Sequence, residues 1–289
     1  LAIVHSHPRW LVDRWLTRWD PDQVRKLVEW DNRPPPLYVR PLGSSPAEAA
    51  ELLSRRGWTV RLAGEGLPCL LVEGGINPAK LLEDFRGIVQ DPGAALVTLY
   101  SDPPPGGWIA DLCAAPGGKA LALAEGGAYV LAADRSPPRL AVLKENLGRV
   151  GGSMGLVVAS AEHPPLRETP FLLLDVPCSG TGTLRRHPDA RWRLEPTTVN
   201  RMAEIQSEIM EAGARIVAPG GVLLYATCTL EPEENEEQVE AFLRRHPEFR
   251  LEETGAVEGR FLDEEGRLTV LPHRSGFDGA FGARLRRAA

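Results

Sequence analysis

The chain has 289 residues, 43% of them apolar and 25% charged, with a formal net charge of −6. These values suit a soluble globular protein with a sizeable core, and the length favours two domains over one. They exclude a membrane span, since no apolar run approaches the ~20 residues required, and the acidic balance argues against a protein that coats nucleic acid indiscriminately.

Four cysteines, at 69, 113, 178 and 228, are far apart and form no CxxC pair, which argues against a structural zinc site. Isolated thiols point to an enzyme in a reducing, cytoplasmic setting. The chain opens on Leu1 without a basic-then-apolar leader, and no metal is expected. Charge is uneven. Residues 231–240, EPEENEEQVE, hold six glutamates, whereas 184–193, LRRHPDARWR, hold four arginines, a histidine and a tryptophan.

Residues 1–33 read as a helical segment. PRWLVDRWLTRW places Trp10, Leu11, Arg14, Trp15 and Arg18 at helical spacing, and PDQVRKLVEWDN begins a second helix at a favoured Pro. RPPP then breaks the pattern. Residues 34–100 read as a small α+β domain. LYVR, WTVRL, CLLVEG and GIVQD are strands, and SPAEAAELLSRRG and NPAKLLEDF are helices. The order β-α-β-β-α-β is that of a ferredoxin-like or RRM-like module, without the aromatics that stack bases on an RNA-reading sheet.

Residues 101–289 change to βαβ alternation. GWIAD, AYVLAADRS, GLVVAS, FLLLDVP and VLLYATCTL are strands. PPRLAVLKENLGRVG is a helix, and TVNRMAEIQSEIMEAGARIVAPGG a long one that stops at glycine. Continuously apolar strands are those of a buried parallel sheet, so the fold class is a Rossmann-like, doubly wound α/β domain.

Three strand ends carry chemistry. In DLCAAPGGK a strand gives way to a small-residue turn and a helix, where Gly117 and Gly118 allow close backbone approach at an electropositive helix end. It is neither G-x-G-x-x-G nor a Walker loop. The next strand ends at Asp134, where an acid can hold ribose hydroxyls. DVPCSGTG and YATCTLEPEEN each end an apolar strand on a thiol, Cys178 and Cys228, and two such thiols can converge on one substrate. The glutamates of EPEEN read as a solvated first turn of a helix.

Taken together, DLCAAPGGK, DVPCSGTG, RRHPDARW and YATCTLEPEEN resemble the RNA (cytosine-5)-methyltransferases of the Sun/NSUN type, closest to the bacterial RsmB-like group. The resemblance runs from about residue 8 to the closing DGAFGARLRR. It implies S-adenosylmethionine as cofactor, held by Cys113, Ala114, Ala115, Pro116, Gly117, Gly118 and Lys119, with Asp134 on the ribose. Ser160 stands where the family carries a further Asp. Asp175 is implied near both cofactor and base, Cys228 as nucleophile, and Cys178 as the residue that assists product release. Lys119 would anchor Asp175 or favour a thiolate. Arg185, Arg186, Arg191 and Arg193 are candidates for RNA contact, with Arg191 as the candidate internal structural arginine. A monomer acting on ribosomal RNA is expected, with transfer RNA the alternative. Relatives often carry a helical RNA-binding domain upstream of this point.

Two other readings compete with this one. Amino-group methylation would want an aromatic ring after the acid, and DVPC has none. An RNA-binding assembly factor with a decayed methyltransferase domain is opposed by the two retained thiols.

Overall fold

The computed structural model describes residues 1–74 and 77–289. Helices α1 (Arg9–Leu16) and α2 (Pro21–Asp31) open the chain. Asp20 caps α2, its carboxylate accepting from the N–H groups of Asp22 and Gln23, and Pro21 fills the first turn. Leu11, Trp15, Val24 and Leu27 are buried with Leu184 and Leu230. The opening helices therefore pack on the loops that follow the two thiol-bearing strands.

The small domain has β1 (Leu37–Pro41), α3 (Pro46–Arg55), β2 (Val60–Leu62), β3 (Leu70–Val72), α4 (Pro78–Glu83) and β4 (Gly87–Val89). Its antiparallel sheet has the order β2-β3-β1-β4, the ferredoxin-like arrangement. Val39, Leu53, Leu70, Leu81 and Phe85 form its core.

Helix α5 (Pro92–Ser101) is an element that periodicity does not reveal. It buries eight of its ten residues, so it has no polar face to mark it as a helix. It packs on α6 and β12 of the large domain, introduced next.

The large domain runs β5 (Trp108–Asp111), α6 (Gly118–Glu125), β6 (Tyr129–Asp134), α7 (Pro137–Val150), β7 (Gly155–Val158), β8 (Thr169–Asp175), α8 (Ala190–Arg193), α9 (Pro196–Ile216), β9 (Val217–Thr227), α10 (Glu236–Arg245), β10 (Phe249–Leu251), β11 (Leu268–Val270), α11 (Pro272–Ser275) and β12 (Ala280–Arg287). The sheet order is β10-β12-β9-β8-β5-β6-β7, with β11 paired to β12. Strands β5 to β9 are parallel, and β12 runs antiparallel to β9, so the sheet is mixed. Helix α9 ends at Ile216 rather than at the glycines, because Pro219 disfavours helix just before it and Val217 instead pairs with Thr169.

The FLLLD run shows why apolar continuity reads as a central strand. Phe171 and Leu173 pack into the layer with Leu96, Ile109 and Leu224, while Leu172 and Leu174 pack into the opposite layer with Ile209 and Met210. Both faces are covered, so alternation disappears. Parallel registers place Asp111 beside Ala132, Asp134 beside Val158, and Asp175 beside Ala226. The three aspartates and the two thiols thus gather along one edge, on either side of the point where strand order reverses between β5 and β8. No helix among the described residues is long and apolar enough to cross a membrane.

Candidate active site

Cys178 lies three residues past the end of β8, and Cys228 directly follows β9. Their sulfurs are 3.3 Å apart, and the backbone N–H of Cys228 donates to Cys178 Sγ at 3.4 Å. The shared hydrogen bond splits the two groups. It pushes the Cys178 thiol well above its ordinary value, with burial and the Glu234 charge adding to the rise. It draws Cys228 down against the opposing effect of burial, with Lys119 helping. Cys228 is therefore the sulfur readier to act as thiolate. Lys119, in the first turn of α6, places its Nζ 2.7 Å from Asp175 Oδ2. Burial opposes the Lys119 charge, but Asp175 more than offsets it and the ammonium ends above its ordinary value.

A cavity of about 320 Å³ reaches from these thiols to Asp134. Its wall includes Cys113, Ala115, Pro116, Lys119, Arg135, Arg139, Ala161, Glu162 and Asp175. Gly117 caps the start of α6 with a φ of +109°, and a Cβ there would stand 2.8 Å from Leu143, so this turn requires glycine. Ala114 and Ala115 are buried in the turn, and Gly118 starts the helix. Asp134 receives the N–H groups of Ser136 (2.9 Å) and Ala115 (3.2 Å) and has Arg139 at 3.6 Å. A carboxylate held at a strand end over a small-residue turn, in a cavity of this size, fits a nucleoside cofactor with an amino-acid tail. Ser160 is not part of that wall. Its hydroxyl turns onto Glu162, whose carboxylate lines the cavity instead. The acid two residues on in ASAEHP was the available signal.

Residues 98–286 match the family described as 16S rRNA methyltransferase RsmB/F, and residues 7–77 match its ferredoxin-like domain. The chain belongs to this family. Methyl transfer from S-adenosylmethionine to RNA is the chemistry of that membership. The chain is 37% identical over its full length to a Synechocystis protein named "Probable ribosomal RNA small subunit methyltransferase B". It is 36% identical over 97% of its length to the ribosomal RNA small subunit methyltransferase B of Yersinia pseudotuberculosis. It spans about two thirds of those relatives, 68% and 66% of their lengths. Among solved structures, PH0851 superposes with a TM-score of 0.89 at 32% identity, covering 99% of this chain and 67% of that one. NSun6 from Pyrococcus horikoshii, solved with SFG, shares the fold at a TM-score of 0.83 and 21% identity, with 98% of each chain covered.

Within this RsmB/F-type fold, Arg185 and Arg186 are committed elsewhere than to RNA, and Arg191 is the internal structural arginine expected. Arg185 donates to the carbonyls of Arg33 (3.0 Å) and Pro34 (3.1 Å) and stacks 3.9 Å over Trp30. Arg186 bridges Asp91, at 2.7 Å, and Asp278. Arg191 is buried and donates to Asp31 O at 3.0 Å and Asn32 Oδ1 at 2.8 Å. These side chains tie the opening segment and the small domain to the DVPC loop. Arg193 is exposed and pairs with the equally exposed Asp189, and its neighbour Trp192 is 62% exposed.

The glutamates of EPEEN correct the sequence expectation most sharply. Glu231 and Glu234 are fully buried. Glu231 takes Arg14, the Trp15 Nε1–H at 3.1 Å and the Thr181 hydroxyl at 3.0 Å. These partners lie hundreds of residues or one whole loop away, so only the folded chain reveals them.

Proposed function

We propose that this chain methylates carbon 5 of a cytosine in 16S-type ribosomal RNA through a covalent adduct with Cys228. The observation that carries the reading is the pair of unequal thiols 3.3 Å apart beside an Asp–Lys pair. Carbon 5 of cytosine is too weak a nucleophile to accept a methyl group unaided. Addition of the Cys228 sulfur to carbon 6 forms an S–C6 bond and moves the ring π pair toward nitrogen 3, which takes a proton from the Asp175–Lys119 pair and returns it there once carbon 5 has bonded the methyl group. Carbon 5 is then an enamine carbon. Asp175 faces the ring at nitrogen 3, with Lys119 fixing its orientation. S-adenosylmethionine, when bound, supplies the methyl group as an electrophile. Loss of the carbon 5 proton to a base at the Cys178 side restores the ring as the S–C6 bond breaks and Cys228 leaves.

The Gly117–Lys119 turn, Asp134 and Glu162 would hold the cofactor. The target cytosine must leave its stack to reach the thiols. Exposed Trp192 and Arg193 are the candidates for stacking and phosphate contact outside the cavity. We take the enzyme to be a cytoplasmic monomer, in keeping with the ribosomal RNA named for its relatives.

The test is a covalent trap. Wild type incubated with cofactor and 5-fluorocytosine-substituted 16S rRNA should give a protein–RNA cross-link that Cys228→Ser removes. A cross-link that survives the substitution rejects the nucleophile, and one formed only with transfer RNA rejects the substrate class.

A further inference from the structure

We propose that Glu234 is a positioning residue that holds the two thiol loops in register. It rests on the reading above that both thiols act on the base, but it concerns a side chain that touches neither base nor cofactor. Four donors converge on this buried carboxylate. Oε2 accepts the Ser179 backbone N–H and the Gln206 Nε2–H, each at 2.8 Å. Oε1 accepts the Ser179 hydroxyl and, at 3.2 Å, the Thr229 hydroxyl. Ser179 directly follows Cys178, and Thr229 directly follows Cys228. One carboxylate therefore clamps the residue after each sulfur. Gln206 extends the clamp by donating to the Pro177 carbonyl at 2.9 Å, on the other side of Cys178. The Tyr225 hydroxyl donates to the Glu234 carbonyl at 2.6 Å and fixes the backbone of the clamp itself.

Burial pushes the Glu234 carboxyl above its ordinary value and the four donors oppose that push, so the clamp is stiff as well as connected. It also acts through charge. Cys178 faces Cys228 and Glu234, while Cys228 faces Cys178, Asp175, Lys119 and Glu234. At Cys178 the hydrogen bond to Cys228, burial and the Cys228 charge come first, and the Glu234 charge adds to the rise there and opposes the fall at Cys228. Serine, threonine, glutamine and tyrosine, the other groups around it, are uncharged at neutral pH.

Two variants separate reach from charge. Glu234→Gln keeps the size but removes the charge and presents N–H groups to donors. Glu234→Asp keeps the charge but shortens the reach. Thiol spacing is read as the rate at which diamide oxidises Cys178 and Cys228 to a disulfide, mapped by mass spectrometry. Thiol acidity is read as the pH midpoint of Cys228 alkylation by iodoacetamide. With each protein assayed at its own alkylation midpoint, so that thiolate fractions match, we expect both variants to form the disulfide at least tenfold more slowly than wild type. Only Glu234→Gln should move the alkylation midpoint to lower pH. Should Glu234→Gln fail to fold, the disulfide rate of Glu234→Asp decides alone. A folded variant that oxidises at the wild-type rate overturns the proposal. Neither assay needs RNA, so a failed cross-link with 5-fluorocytosine RNA would reject the methyltransferase reading and leave these measurements to judge Glu234.

Discussion

Cys178 and Cys228 sit at the ends of adjacent parallel strands with one hydrogen bond between their sulfurs, at 3.3 Å. The bond makes the two thiols chemically unequal. Cys178 is pushed up and Cys228 drawn down, although both sequences read alike as an apolar strand ending in Cys.

The inequality predicts opposite phenotypes. Cys228→Ser should lower kcat by roughly 10³-fold or more and form no adduct, because the attacking sulfur is gone and Cys178 serves product release instead. Cys178→Ser should also turn over slowly but accumulate protein–RNA adduct visible on a denaturing gel. The same gel distinguishes the two variants directly.

Cofactor affinity should depend on Asp134 and Glu162. Asp134→Asn keeps the size but gives up the charge that receives the Ala115 and Ser136 N–H groups. We expect S-adenosylhomocysteine to bind roughly 10-fold more weakly or worse, about 1.4 kcal/mol. Glu162→Gln should weaken binding, whereas Ser160→Ala should change it little. Titration calorimetry measures all three.

The opening helix should matter to the nucleophile. Arg14 and Trp15 hold the buried Glu231, three residues past Cys228. Removing Arg14 leaves that carboxylate short of a partner, but the arginine is itself a quarter exposed. Arg14→Ala should therefore cost about 2 kcal/mol, below the range for a fully buried pair. Arg14→Met combined with Glu231→Gln should recover part of the loss in urea denaturation.

Stability should fall with rising pH through Asp111. Burial, and then the nearby Asp175 charge, push this carboxyl from 3.8 up to about 7. The native state thus holds a proton that the unfolded chain has already released. The associated stability is fully present below about pH 4 and is lost as pH rises toward 7. Asp111→Asn keeps an acceptor for the Cys113 N–H and removes the titration. Its Tm should decline less than that of wild type between pH 5 and pH 8, as followed by calorimetry.

Much of the molecule was legible in the chain alone. The four-stranded module, the apolar central strands, the Gly117 turn and the positions of both thiols follow from local rules. A small-residue turn, a cap or an apolar run is decided by neighbours in sequence. Helix α5 escaped because burial on every side erases the periodicity that marks a helix. The end of α9 escaped because Val217 is claimed by a strand partner, Thr169, almost fifty residues earlier.

Local sequence already supplies the residues that do the chemistry: two cysteines, Asp134, Asp175 and Lys119, each near a strand end or helix start. Only the tertiary structure decided their employment. It set the sulfurs close enough to share a proton, moved the cavity wall from Ser160 to Glu162, and tied Arg185 and Arg186 to neighbouring segments. It also buried Glu231 and Glu234, which in sequence read as a solvated acidic turn. The reason is physical. Charge, hydrogen bonding and desolvation act through space, and the partners that fix them here lie tens to hundreds of residues apart along the chain.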